Sequence, residues 1–367
     1  MKKYLPLKKP DYALSLLIFG LVVFGLVMIS SASSVISYER FGRSDYYLIR
    51  QLVSFGIGIL FWIIFQGIDY HIFKKYAGVL LITTILLLVL VFVPGIGHAW
   101  RGVHRWIGIG SFVFQPSEII KLTLILYLAA WFEKRKEKIK TFFKGFMPFA
   151  ALIGILVGLL AFQPDIGTMA VIAGTATTMY FLAGSAISHL AIGGVFASII
   201  FWILIKLAPY RMARILAFVN PENDPLGIAY HIRNALIAIG SGGLLGLGFG
   251  MSRQKHLFLP EAHTDSIFAV IAEELGLLRT ILLVAAFAYL AYKGYKIASR
   301  TQDEFGRLIA SGITTWFIFQ AFINIAGISG LLPFTGVPLP FISYGGTALV
   351  TTLAGVGILL NISKYRK

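Results

Sequence analysis

Cysteine is absent from the 367-residue sequence. That excludes a disulfide framework, a thiolate nucleophile and any Cys-based metal site, and it is neutral about compartment. Charge is scarce as well. Asp, Glu, Lys and Arg make up 13% of the chain, against roughly 25% in soluble globular proteins. Acidic residues are the scarcer sign, 16 against 32 basic ones. With 57% hydrophobic residues, so little charge excludes a soluble enzyme, a disordered chain and a coiled coil. Repeats of fixed period, low-complexity tracts and the alternating pattern of barrel strands are also missing. What remains is a polytopic membrane protein, provided the apolar residues come in runs long enough to cross a bilayer.

They do. A spanning helix needs about 20 mostly apolar residues, and ten runs qualify as candidates: 12–33, 47–67, 76–93, 117–132, 147–162, 166–184, 188–208, 267–297, 306–330 and 345–363. The expected fold is all-α, one integral membrane domain over 1–367 with ten transmembrane helices. The run 267–297 is too long for one span and is expected to begin with a turn of helix outside the hydrocarbon. The first run ends in Ser31-Ala32-Ser33, which resembles a signal-peptide cleavage site. Its length and the many spans that follow favour an uncleaved helix.

The net charge of +16 would suggest nucleic acid in a soluble protein. Here the basic residues lie in short links, so no nucleic acid is expected. With the N-terminus inside, the inner links hold about twice the Lys and Arg of the outer ones, led by Lys134, Arg135, Lys136, Lys138, Lys140 and Lys144. Both termini are therefore expected in the cytoplasm. The long segments 94–116, 208–266 (between spans 7 and 8) and 331–346 then face outward. Within the second, Ala229–Ile239 has the stripe Ile232, Leu236, Ile239 of an interfacial amphipathic helix.

Ionisable groups inside spans are costly and point to function or to pairing. Glu118 and Lys121, three apart, share a helix face. They form either a structural ion pair or the lining of a polar cavity. Asp165 follows Gln163-Pro164, where it either caps the next helix or works chemically. Leu259-Pro260-Glu261-Ala262-His263-Thr264-Asp265 closes the longest outer segment. Asp265 can cap the following helix, but Glu261, His263 and Asp265 also gather three proton-transfer groups at an apolar edge. There a carboxylate's pKa can rise towards neutrality, as a general base needs. Of the adjacent Glu273 and Glu274, one is expected to pair within the packing, with Arg279 as the nearby partner.

Arg101, Arg105, Arg211, Arg214, Arg253 and Lys255 are outer cations. They either snorkel beside a Trp belt or clamp an anionic substrate; several of them on the outer side run against the positive-inside bias. Gly242, Gly246 and Gly250, at every fourth residue, suit close packing or a tight loop. Segment 331–346, with Asn324 before it and Ser343-Tyr344 within it, is dense in Pro and Gly and forms a cavity wall or a rigid plug. The histidines show no metal-ligand spacing.

These stretches together resemble one family. They are Arg105-Trp106-Ile107-Gly108 with Gln115–Lys121, Gln163–Thr168, Pro209–Gly227, Ala238–Gly243, Leu259–Asp265 and Asn324–Gly346. In this order they resemble the SEDS proteins (shape, elongation, division and sporulation), which include FtsW, RodA and SpoVE. Residues 31–42, 46–52 and 254–265 look more like the FtsW and SpoVE branch than the RodA branch. Two positions depart from the family pattern: Ser266, usually aromatic, and Arg279, usually small.

The resemblance implies a glycosyltransferase of the bacterial inner membrane, with its active site on the extracytoplasmic side, that polymerises lipid II into peptidoglycan for septal or elongation growth. Asp265 matches the family's essential aspartate. The implied partners are a class B penicillin-binding protein, lipid II, undecaprenyl diphosphate, membrane lipids and other divisome or elongasome proteins. In this scheme Asp265 is the base. Arg211 and Arg214 are first in line to stabilise pyrophosphate, with Arg101, Arg105, Lys255, Glu261 and His263 as further substrate contacts. Glu118, Lys121, Asp165, Asn324 and Ser343 are structural or cavity-lining. A divalent ion, Mg2+ or Mn2+, is an alternative source of positive charge. Two other functions fit the composition. A lipid II flippase would use mid-membrane polar residues such as Glu118, Lys121 and Asp165. A non-catalytic scaffold of a synthase complex would tolerate changes at Asp265.

Overall fold

The structure, a computed structural model, describes residues 8–100, 103–109, 112–206, 209–219 and 227–365. Each of the ten expected runs is a helix: α1 (Tyr12–Phe41), α2 (Tyr46–Gly67), α3 (His71–Leu90), α4 (Pro116–Lys134), α5 (Met147–Phe162), α6 (Ile166–Leu182), α7 (Ile187–Lys206), α10 (Ile267–Arg300), α11 (Glu304–Ile328) and α12 (Gly346–Ser363). Two shorter helices, α8 (Pro209–Val219) and α9 (Ile228–Ser241), lie in the longest link. Among the described residues seven helices are long and apolar enough to cross a membrane, namely α1, α2, α3, α5 with its preceding turn, α7, α11 and α12.

Local chemistry sets the helix ends. Asp11 accepts from the Leu14 amide at 3.1 Å and opens α1. Asp303 does the same for Gly306 at 2.8 Å and opens α11. α1 runs through Ser31-Ala32-Ser33, which are buried in the packing. It stops at Gly42, whose φ of 69° is left-handed. The core is built around α11 and α12, whose surfaces are almost wholly covered. α11 packs on α4, α6 and α10, and α12 packs on α2. α7 stands at the rim with most of its side chains exposed, the pattern of a helix whose solvent is lipid.

One expectation needs correction. The all-α assignment misses a three-stranded antiparallel sheet in the first long link: β1 (Gly97–Trp100), β2 (Val103–Ile109) and β3 (Phe112–Phe114). Ile107 faces both Gly97 and Phe114. The stretch is rich in Val, Ile, Phe and Trp, which favour pleated surfaces, but it is too short to register as a span.

α10, the run expected to be too long for one span, is divided. Gly276 has φ 77° and breaks it into 267–275 and 277–300. The first piece is buried inside the protein, so it is an internal helix. The loop 243–248 satisfies the break. Leu277 and Leu278 amides donate to the Gly243 and Leu244 carbonyls at 2.9 and 3.2 Å. Leu247 and Gly248 amides donate to Glu273 and Glu274 carbonyls at 2.9 and 3.0 Å. A Cβ at Gly246 would sit 2.2 Å from the Glu274 carbonyl. Gly242 and Gly246 therefore serve backbone-to-backbone contact, whereas Gly250, with φ 78° and open space around it, serves a turn.

Candidate functional site

The segment 259–266 is a compact turn. The Glu261 carbonyl accepts from Thr264 and Ser266 amides at 3.1 and 3.2 Å. The last link, 331–346, is fastened to it. Ser343 Oγ donates to the Thr264 carbonyl at 2.7 Å, and the Tyr344 amide donates to the His263 carbonyl at 2.9 Å. Asn324, from α11, donates through one amide nitrogen to the carbonyls of Asp265 at 2.8 Å and Val337 at 2.7 Å. Asn324 and Ser343 thus fix the main chain on either side of Asp265, which itself stays partly accessible.

Segment 331–346 is packed as a plug and also meets Asp265. Val337, Leu339, Phe341 and Ile342 are buried, while Gly336 lies against the Asp265 carboxylate. With φ 73°, a Cβ there would stand 3.1 Å from Asp265 Oδ2. The start of α6 packs on the same link, since a Cβ at Gly167 would meet the Thr335 carbonyl at 3.1 Å. Asp165 caps α6, accepting from the Thr168 amide at 3.2 Å, and also takes Ser117 Oγ at 3.4 Å. Beside it, Arg105 of β2 donates to the carbonyls of Gln163, at 2.9 Å, and Pro164. From α8, Arg214 donates to the carbonyls of Phe334 and Thr335, both at 3.3 Å. Asp265 and its near neighbour Glu261 thereby come within electrostatic reach of Asp165, Arg105 and Arg214, which belong to distant parts of the sequence.

No described side chain donates a hydrogen bond to the Asp265 carboxylate, and its pKa is pushed up to about 7. Burial is the main cause; the negative Glu261 and, more weakly, Asp165 add to it, and Arg105 and Arg214 oppose it. His263 behaves differently. Its ring is wedged between Tyr47 and Tyr344, with centroids 4.3 and 5.5 Å away. Burial pushes its pKa down to about 4, with Glu261 opposing and Arg40 reinforcing. It is a neutral packing residue at pH 7, and at 3% exposure it offers substrate no surface.

Other expected contacts also move. Lys255 is buried and bonds Glu274 at 3.0 Å and Ser31 Oγ at 3.0 Å, which withdraws it from the outer cations. The partner expected for Glu273 or Glu274 was Arg279. Instead Arg279 donates to Leu245 and Leu275 carbonyls, and Glu273 takes the Ser252 hydroxyl and the Arg253 amide. Arg211 donates to the carbonyls of Leu204 at 2.9 Å and Ala161 at 2.7 Å and is buried, so it joins α5, α7 and α8. Lys121 Nζ bonds Glu118 at 2.7 Å and Gln320 at 2.9 Å, the structural pair. Arg101 lies outside the described residues, as do 220–226 of the matching stretch Pro209–Gly227.

Among the described residues no three His, Asp or Glu side chains converge on one point. The described residues by themselves therefore form no closed ligand set for Mg2+ or Mn2+.

The whole chain has known counterparts. Residues 12–367 match the FtsW/RodA/SpoVE family model, described as a cell cycle protein. The chain belongs to the FtsW/RodA/SpoVE family. The probable peptidoglycan glycosyltransferase FtsW of Geobacter metallireducens is 42% identical, with 98% of this chain and 96% of that one covered. Stage V sporulation protein E of Bacillus subtilis is 39% identical, with 98% of each covered. In structure the chain superposes on a chain of a peptidoglycan synthase complex that coordinates polymerization and crosslinking. The TM-score is 0.80 at 29% identity, covering 97% of this chain and 98% of that one. The rod shape determining protein RodA of Thermus thermophilus gives 0.71 at 30%, covering 97% of each chain. It is thus a multi-pass membrane protein with the helical fold of the FtsW/RodA/SpoVE family.

Two residues of this family member's site are not evident from sequence. Gly336 shapes the space before Asp265; its neighbours Pro333 and Pro338 signal a turn but not its position. His231, on α9, bonds Ser266 Oγ at 2.5 Å, which also donates to the Pro260 carbonyl at 3.0 Å. Ser266, at a position usually aromatic in the family, thereby ties α9 to the turn that carries Asp265.

Proposed function

We propose that this chain is a peptidoglycan glycosyltransferase that polymerises lipid II and releases undecaprenyl diphosphate, with Asp265 as its general base. The observation that carries this reading is a partly accessible carboxyl group with a pKa of about 7, its main chain fixed by Asn324 and the cations Arg105 and Arg214 within electrostatic reach. A base is most effective when its pKa lies near the working pH. The 4-hydroxyl of the acceptor sugar gives its proton to the Asp265 carboxylate as its oxygen bonds the anomeric carbon of the donor. The bond from that carbon to the diphosphate oxygen breaks, and the electron pair leaves with the diphosphate. Because the leaving group is already good, one carboxylate suffices where a hydrolase needs two. Arg214 and Arg105 supply positive charge near Asp265. A divalent ion would add charge only if substrate oxygens completed its shell, and no step here passes through it.

Ten helices act as spans in this reading. α4, α6 and the 277–300 part of α10 join the seven of clear length, both termini are cytoplasmic, and 94–116, 208–266 and 331–346 face outward. The membrane is the bacterial inner membrane and the whole chain works as one domain. A class B penicillin-binding protein is the partner that crosslinks the glycan. Identities of about 40% to FtsW and SpoVE against about 30% to RodA favour septal synthesis.

The test is polymerisation by the purified protein, with and without such a partner, followed as glycan length. Asp265→Asn should fold and bind its partner yet lose at least about 100-fold in rate, the usual scale of general-base catalysis. Full activity in that variant would leave the scaffold role standing, and lipid movement without polymer in the wild type would favour the flippase.

A further inference from the structure

At the end of α10 remote from Asp265 lies a cavity of about 480 Å3. The 277–300 segment is about 36 Å long at 1.5 Å per residue, enough to cross a hydrocarbon core of about 30 Å. The cavity therefore sits at the opposite membrane face from Asp265. It is lined by Lys8, Lys9, Asp11, Lys293, Lys296 and Arg300, with Tyr12 beside them. Its only carboxylate among the described lining residues, Asp11, is paired with Lys293 at 3.1 Å. That leaves four further cations around the space.

The cavity is built rather than a fortuitous gap. The Lys8 amide donates to the Lys364 carbonyl at 3.0 Å, and the Asp11 amide to Ser363 Oγ at 3.1 Å. The N-terminal segment is thereby pinned across the end of α12. Lys296 is oriented by a 2.8 Å bond to the Tyr292 hydroxyl. Immediately towards the membrane interior, Leu16 and Phe19 of α1 are exposed, at 73% and 46%, as is Tyr289 on α10, which packs beside α1.

We propose that this cavity binds the phosphate headgroup of an anionic phospholipid in the leaflet opposite Asp265, with the acyl chains lying along Leu16 and Phe19. Several cations around one space suit a phosphate. A basic pocket between spanning helices at a membrane face, bordered by exposed tyrosines, is suited to a lipid rather than to a solute. The site is independent of the glycosyltransferase reading.

Native mass spectrometry of the delipidated full chain tests it, with phosphatidylglycerol, phosphatidylcholine of the same chains, and glycerol phosphate as probes. Phosphatidylglycerol should bind one saturable site at least about tenfold more tightly than phosphatidylcholine. Binding should weaken about fivefold for each cation removed in Lys296→Ala/Arg300→Ala and in Lys9→Glu. The exposed change at Lys9 keeps the test valid if the double variant misfolds. Lys138→Ala/Lys140→Ala, which removes two charges outside the cavity, should leave binding unchanged. Equal losses in the cavity and remote variants, or no preference for phosphatidylglycerol, would overturn the site. Binding of glycerol phosphate as tight as that of the lipid would overturn the lipid assignment.

Discussion

A carboxyl group that takes a proton near neutral pH must be kept from ionising too easily. Burial does this for Asp265, with Glu261 adding repulsion and Arg105 and Arg214 keeping its pKa near 7. Catalysis needs the ionised form, so the initial rate of glycan formation should rise with pH and level off above about 7. Stability runs the other way. The folded state holds this proton to higher pH than the unfolded chain does, so Asp265 costs stability as pH rises through that interval, fully so above its folded pKa. Asp265→Asn should therefore melt higher than the wild type at pH 8, with the gap closing as pH falls towards 4. Equal melting curves at both pH values would show that burial does not set this pKa. Lys255 and Glu274 form a buried pair, so Lys255→Met should cost about 3–5 kcal/mol by leaving a buried charge alone. Lys255→Met/Glu274→Gln should recover most of that loss in the same thermal assay. A double variant as unstable as the single one would mean that Lys255 contributes packing rather than charge compensation.

Elements act on the site through their ends. The N-terminus of α6 brings Asp165 towards Asp265, where its charge raises the catalytic pKa, while the same side chain caps the helix. Asn caps as well as Asp does. Asp165→Asn should therefore keep stability within about 0.5 kcal/mol and shift the pH–rate curve to lower pH, whereas Asp165→Ala should also lose about 1 kcal/mol. An unshifted curve in the Asn variant would reduce Asp165 to a cap. The break in α10 is the other controlling feature. Gly276 has φ 77°, and a Cβ there would stand 2.2 Å from the Gly246 amide nitrogen. Gly276→Ala should thus cost several kcal/mol and lower the melting temperature of the detergent-solubilised protein sharply. A small change would mean that loop 243–248 yields easily.

The whole molecule is a polytopic bundle in which α11 and α12 are mostly buried and α7 faces outward. Its topology has a direct test, because the chain has no cysteine and any introduced thiol is unique. Lys138→Cys should react with a membrane-impermeant maleimide only in inverted vesicles, and Arg253→Cys, also exposed, only in intact spheroplasts. The opposite pattern would invert the orientation and put Asp265 on the cytoplasmic side. At this scale the helices were legible: each expected run is a helix in the structure, because a long apolar stretch has no alternative conformation in lipid that satisfies its backbone. The sheet at 97–114 was not, since short alternation leaves only a weak periodic signal. Glu118 with Lys121 was readable because a three-residue spacing fixes neighbours on one helix face. Lys255 with Glu274 was not, since nothing in a 19-residue separation specifies a contact.

Composition and run length by themselves determined that this protein lives in a membrane, as helices, with its unusual residues gathered in a few links. The Asp265 turn stood out there because three titratable groups fall within five residues. Tertiary structure alone decided how differently the three are placed. It packed His263 between two tyrosines, left Asp265 unpaired beside Gly336, and brought Arg105, Arg214 and Asp165 to it from three other elements. The physical reason is range. Helix formation is settled by neighbours along the chain, whereas a pKa is set by burial and by charges that only folding brings near.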